Sequence, residues 1–92
     1  MAISLADAFA PAPDVVFRDL DGEAVVLDLA TGTYFGLNAS GTRMWQLIEQ
    51  HRVLDAVAAA MAGEFDAPPG RIEADLLTFA SRLELKKLLV RA

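Results

Sequence analysis

The sequence predicts an α+β fold in which a three-stranded antiparallel meander is followed by three helices. Apolar residues alternate with period two from Val15 to Leu37, and the period turns helical at Asn38. Turn-forming dipeptides separate the segments in the first half, and a Pro-Pro-Gly break separates the last two helices. At 92 residues the chain has room for one domain with one core.

Residues 1–14 are rich in alanine, and Pro11 and Pro13 confine the backbone to extended or turn forms. They read as an N-terminal tail ahead of a domain of residues 15–92, with that domain or a second copy as the surface on which the tail would dock. Val15-Val16-Phe17 opens the first strand, and Asp21-Gly22 is a favoured type I′ hairpin turn. On the return strand, Val25, Leu27 and Leu29 share one face while Ala24, Val26 and Asp28 share the other. Thr31-Gly32 turns the chain again into a third short strand, Thr33–Leu37. Asn38 is a good N-cap, since its side-chain oxygen accepts from an orphan amide of the first turn. Met44, Trp45, Leu47 and Ile48 form the stripe of the first helix, and Val53, Leu54, Val57, Met61 and Phe65 that of the second. After Ala67-Pro68-Pro69-Gly70, the residues Ile72, Leu76, Phe79, Ala80 and Leu83 fall within a sector of about 100° on a third helix. Glu73 and Asp75 near its start and Lys86 and Lys87 near its end suit the macrodipole, and Leu88–Val90 closes the chain as a short extended segment.

Composition narrows the function. Eight basic residues against thirteen acidic ones give a net charge of −5, which opposes the phosphate neutralisation that nucleic-acid binding needs. All of that net charge lies in residues 1–42, yet Leu29 through Thr42 carry no charged side chain. The absence of cysteine removes disulfides, thiolate metal sites and a thiol nucleophile. No apolar run reaches the ~20 residues of a membrane span, and the N-terminus lacks the basic start of a signal peptide. The expectation is a cytoplasmic protein without a membrane partner.

Candidate chemistry is sparse. Asp19, Asp21 and Glu23 crowd together, but a calcium loop needs more oxygen ligands over a longer spacing, and Asp-Gly chemistry accounts for the segment as a turn. His51, the single histidine, has no nucleophile near it in sequence and suits the C-terminal end of a helix. None of Ser4, Ser40 and Ser81 lies in a Gly-x-Ser-x-Gly turn, and the run from Gly36 to Gly41-Thr42 lacks the lysine of a phosphate loop. No catalytic residue, cofactor or metal is therefore expected. A small sheet with three helices also describes a winged helix-turn-helix, so a DNA-binding regulator is one alternative. Arg71, Arg82, Lys86 and Lys87 on its third helix are, however, interrupted by Glu73, Asp75 and Glu84.

The third strand has none of the usual defences of an edge. Exposed strand edges are blunted with charge, proline or bulges, because unpaired N–H and C=O groups recruit other chains. Thr33–Leu37 has neither charge nor proline, and Gly36 leaves room for a second backbone. Such an edge accepts an extended peptide, unless the tail or Leu88–Val90 pairs with it or a homodimer hides it; a structural dimerisation module is thus a second alternative. The acidic surroundings of this neutral edge favour a peptide with basic flanks.

The run Gly22-Glu23-x-Val25-Val26-Leu27-Asp28-x-x-Thr31-Gly32-x-Tyr34-Phe35-x-Leu37-Asn38-x-x-Gly41-x-x-Met44-Trp45 resembles the coenzyme PQQ synthesis protein D (PqqD) family. Asp75-Leu76-x-x-Phe79-Ala80-x-x-Leu83 and the following Leu88-Leu89-Val90 extend the likeness to about residues 14–91. The resemblance implies a winged-helix-like, non-catalytic domain that binds the leader of a ribosomally made precursor peptide as a fourth strand. It further implies presentation of that peptide to a maturation enzyme, either a radical SAM enzyme or a leader peptidase acting with a cyclase. Carried over residue by residue, the pairing strand falls on Thr33, Tyr34, Phe35 and Gly36, and the third-helix positions on Asp75, Leu76, Phe79 and Leu83. On a helical wheel Asp75, Thr78 and Arg82 flank the apolar stripe on one side and Leu77, Glu73 and Glu84 on the other. The first flank is the one expected to face the peptide, since a carboxylate and a guanidinium can read its polar side chains.

Overall fold

The computed structural model describes residues 3–68 and 70–92. The strands are β1 (Phe9–Pro11), β2 (Val15–Leu20), β3 (Glu23–Asp28), β4 (Tyr34–Leu37) and β5 (Leu89–Arg91); the helices are α1 (Ala39–His51), α2 (Leu54–Glu64) and α3 (Arg71–Leu85). The antiparallel meander β2-β3-β4 followed by three helices is the architecture the sequence predicts. Asp21 and Gly22 both have positive φ (59° and 87°), as a type I′ turn requires, and the Asp19 carboxylate accepts from the Gly22 amide at 2.9 Å. At the other end of β3 the Asp28 carboxylate accepts from the Ala30 amide, and the Asp28 carbonyl accepts from the Gly32 amide.

A second, two-stranded sheet has no counterpart in that prediction. β1 pairs antiparallel with β5, Phe9 opposite Arg91 and Pro11 opposite Leu89. Phe9 is fully buried, and the Arg91 guanidinium lies 4.9 Å from its ring centroid while pairing with Asp7 and Glu84. The Ser4 amide and then Arg91 hold the Asp7 carboxyl below its ordinary pKa. Hydrogen bonds from Phe9 to Arg52, from Leu54 to Asp7 and from Asp55 to Leu5 lash the same segment to the α1–α2 junction. Residues 8–11 are thus part of the folded body. The two ends of the chain pair with each other and not with β4, so among the described residues β4 has β3 as its single strand neighbour.

The core lies between the inner face of the meander and the helices. Ala24, Val26 and Leu37 meet Trp45, Ile48, Leu76, Ala80 and Leu83 there, and the Trp45 ring stacks on Phe17 at 6.2 Å and 2° between planes. Asn38 caps α1 as its sequence position predicts, accepting from the Gly41 amide at 2.8 Å. The Arg43 guanidinium grips both carboxylate oxygens of Glu64, each at 2.7 Å, tying α1 to α2 and lowering the Glu64 pKa.

Thr42, 4 % exposed, joins α1 to the sheet by accepting the Ala24 amide at 3.0 Å. Thr42→Val keeps the shape and removes this acceptor from the buried Ala24 N–H. Its expected cost is about 1–3 kcal/mol in denaturant unfolding. A loss below a few tenths of a kcal/mol would contradict the assigned bond.

Candidate functional site

A cleft of about 460 Å³ runs between β4 and α3. One wall is Phe35, Gly36 and Leu37; the first turns of α1, through Gly41 and Met44, make the floor. The other wall is Asp75, Thr78, Phe79 and Arg82, which recur at helical spacing on one face of α3. Gly41 suits this closeness: a Cβ there would sit 3.3 Å from Phe79 Cε1 and 3.1 Å from Asn38 Oδ1, a tight fit on both. Phe79 therefore packs directly on the start of α1.

The hydrogen-bond alternation of the sheet decides which backbone groups of β4 remain open. The Asp28 amide donates to the Thr33 carbonyl at 2.8 Å, in the same register that places Phe35 opposite Val26 and Leu37 opposite Ala24. Bonded and non-bonded pairs alternate along an antiparallel ladder. Phe35 and Leu37 thus direct their backbone groups at β3, whereas the N–H and C=O of Tyr34 and Gly36 point away from the sheet, along the rim of the cleft.

Of the nine site residues read from the sequence, Phe35, Gly36, Asp75, Thr78, Phe79 and Arg82 line the cleft, and the Asp75–Thr78–Arg82 flank of α3 faces it. Tyr34 presents its backbone to the open edge, but its side chain stands on the outer sheet face and is 71 % exposed. The other two of the nine also stand apart from the cleft lining. Thr33 precedes the strand, its amide donating to Thr31 Oγ1 and its carbonyl accepting from Asp28, so both backbone groups are already used. Leu76 is fully buried beneath the cleft, in the core between α3 and its neighbours. The sequence reading omitted the α1 floor, Ser40, Gly41 and Met44, together with Asn38. The Gly41-x-x-Met44 spacing across the Asn38 cap was the available signal.

Asp75 accepts from Arg71 at 3.1 Å, an exposed i,i+4 pair at the Ser40 end of the cleft. Beyond it a second cavity of about 330 Å³ opens between Met44, Met61, Phe65, Pro68 and Ile72. At the opposite end the Arg82 guanidinium and the Lys86 ammonium each lie 5.5 Å from the Phe35 ring centroid. Among the described residues no cluster of three His, Cys, Asp or Glu could hold a metal ion, and no helix is long and apolar enough to cross a membrane.

Comparison with known proteins adds three findings. The family model for coenzyme PQQ synthesis protein D (PqqD) matches residues 23–89, a shorter span than the sequence resemblance because it begins at the hairpin turn. The structure of TbiB1 in complex with the TbiA(beta) leader peptide is 38 % identical and superposes with a TM-score of 0.81, covering 87 % of this chain and 93 % of that one. Lasso peptide synthetase B1 complexed with the leader peptide shares the fold at 20 % identity and a TM-score of 0.80, covering 90 % of this chain and 98 % of that one. No curated protein matches the sequence.

Proposed function

The chain belongs to the coenzyme PQQ synthesis protein D (PqqD) family, and from that premise we propose that it binds the leader segment of a ribosomally made precursor peptide as a fourth strand on β4. The observation that carries this reading is the open edge beside the cleft, with the backbone groups of Tyr34 and Gly36 directed outward. An added strand hydrogen-bonds to those two residues and turns every second side chain toward α3. One or two apolar side chains then bury against Leu37, Met44 and Phe79 in a space of about 460 Å³. Main-chain bonding supplies affinity that is indifferent to sequence, and the cleft supplies selectivity. The leader complex formed by the 38 % identical TbiB1 supports this assignment.

The protein acts as an adaptor with no reaction of its own. It holds the leader while a maturation enzyme, a radical SAM enzyme or a leader peptidase working with a cyclase, acts on the rest of the precursor. Calorimetric titration with the leader encoded beside this gene should give saturable one-to-one binding. Absence of heat at high micromolar leader would overturn the proposal. Retention on duplex DNA that collapses with salt would favour the regulator reading instead.

A further inference from the structure

Arg43, Arg71 and Arg91 are each ion-paired within the chain, to Glu64, to Asp75, and to Asp7 with Glu84. Arg18, Arg52, Arg82, Lys86 and Lys87 form no ion pair among the described residues, and of these five Arg82 and Lys86 converge on one aromatic ring, in a chain where acids outnumber bases thirteen to eight. Arg82 stands in the last turn of α3 and Lys86 caps its C-terminus; both heads lie 5.5 Å from the ring centroid of Phe35, which with Arg82 walls the cleft. Two cations over one ring are within about a Debye length of each other, roughly 10 Å at 0.1 M salt, so they repel. The face of the ring attracts each of them, but it does not neutralise their charge.

The opposite end of the cleft has a different character. There Asp75 is paired with Arg71, and the second cavity beyond it adds Asp66 to the apolar Met44, Met61, Phe65 and Ile72. The cleft therefore has a positive end at Arg82 and Lys86 and an opposite end where acidic and apolar side chains prevail, although the protein as a whole is negative.

We propose that Arg82 and Lys86 form a carboxylate subsite, taking an Asp or Glu side chain of the bound peptide where its pairing segment passes Phe35. The inference rests on strand addition to β4 and specifies the chemistry read at one end of it. The guanidinium offers a fork of donors to the carboxylate, and the ammonium adds a second charge that an incoming acid relieves of repulsion. Because β4 leads from the Phe35 end of the cleft toward Ser40 in α1, with Arg82 beside Phe35 and Asp75 beside Ser40, the subsite also fixes direction. In an antiparallel added strand, the kind its neighbours β2 and β3 already form, the acid lies on the C-terminal side of the pairing segment. The global charge favours basic flanks at a distance, and this pair selects an acid locally.

A yeast-displayed library of random peptides tests the subsite without knowledge of the natural leader. It is sorted against the wild-type chain, against Gly36→Pro, against Arg82→Glu with Lys86→Glu, and against Arg82→Gln with Lys86→Gln. Peptides enriched by the wild type and lost with Gly36→Pro should share an Asp or Glu at one position. The double reversal should enrich Lys or Arg at that position, the neutral pair should show no charge preference there, and mismatched combinations should bind about tenfold more weakly. If Gly36→Pro-sensitive peptides show no acidic position, or the same one with both charge variants, the subsite is overturned and strand addition stands. If no peptide is sensitive to Gly36→Pro, both are overturned.

Discussion

Gly36→Pro should weaken leader binding about ten- to a hundredfold, the loss of one hydrogen bond that leaves a peptide acceptor unpaired in a closed interface. The register places the Gly36 N–H on the open side of β4, so proline removes a donor that the folded protein does not use. Its ring also projects toward the incoming strand. Proline is tolerated on an edge whose N–H faces solvent, and the unfolding midpoint should therefore move little. Gly36→Ala is the matched control. A Cβ at this position meets nothing within 4 Å, and the amide remains, so binding should stay within a few fold of wild type. Anisotropy titrations of the three proteins with one labelled leader make the comparison. Equal binding by Gly36→Pro and wild type would contradict strand addition.

Phe9→Ala should cost about 3–5 kcal/mol of stability, the range for deleting a buried aromatic side chain. Phe9 is fully buried and joins β1, the capping Arg91 and the α1–α2 junction. Against a domain stability of about 5–15 kcal/mol, the loss threatens the native state itself. Denaturant unfolding of the milder Phe9→Leu keeps the claim measurable, since a substitution that retains most of the volume should lose clearly less. A Phe9→Ala midpoint indistinguishable from wild type would mean that residues before Val15 are dispensable.

What the sequence disclosed and what it hid follow from the range of each interaction. The Asp21-Gly22 turn and the Asn38 cap are settled by residues within one or two turns of each other, and both stand where local chemistry puts them. β1–β5 is the opposite case. Its partners lie at the two ends of the chain, each strand is only three residues long, and Pro11 and Pro13 disguise the first as a tail. The α3 stripe was legible as a stripe, but 100° steps place Leu76 and Phe79 in the same sector. Only the packing of Phe79 on Gly41 shows that one lines a cleft while the other lies under it. Thr33 reads as strand by its β-branched side chain. Its hydrogen bonds to Thr31 and Asp28 spend it on the turn instead.

The bare edge was visible as an absence of charge and proline. That the chain's own ends leave it free required the topology. The alternation along it required the register.

Amide hydrogen exchange of the protein with and without its gene-adjacent leader tests strand addition most directly. In the free protein Phe35 and Leu37 should already be protected while Tyr34 and Gly36 exchange fast, and saturating leader should protect Tyr34 and Gly36. Unchanged fast exchange at both residues under saturating leader, with new protection confined to α2 or the outer sheet face, would contradict the account.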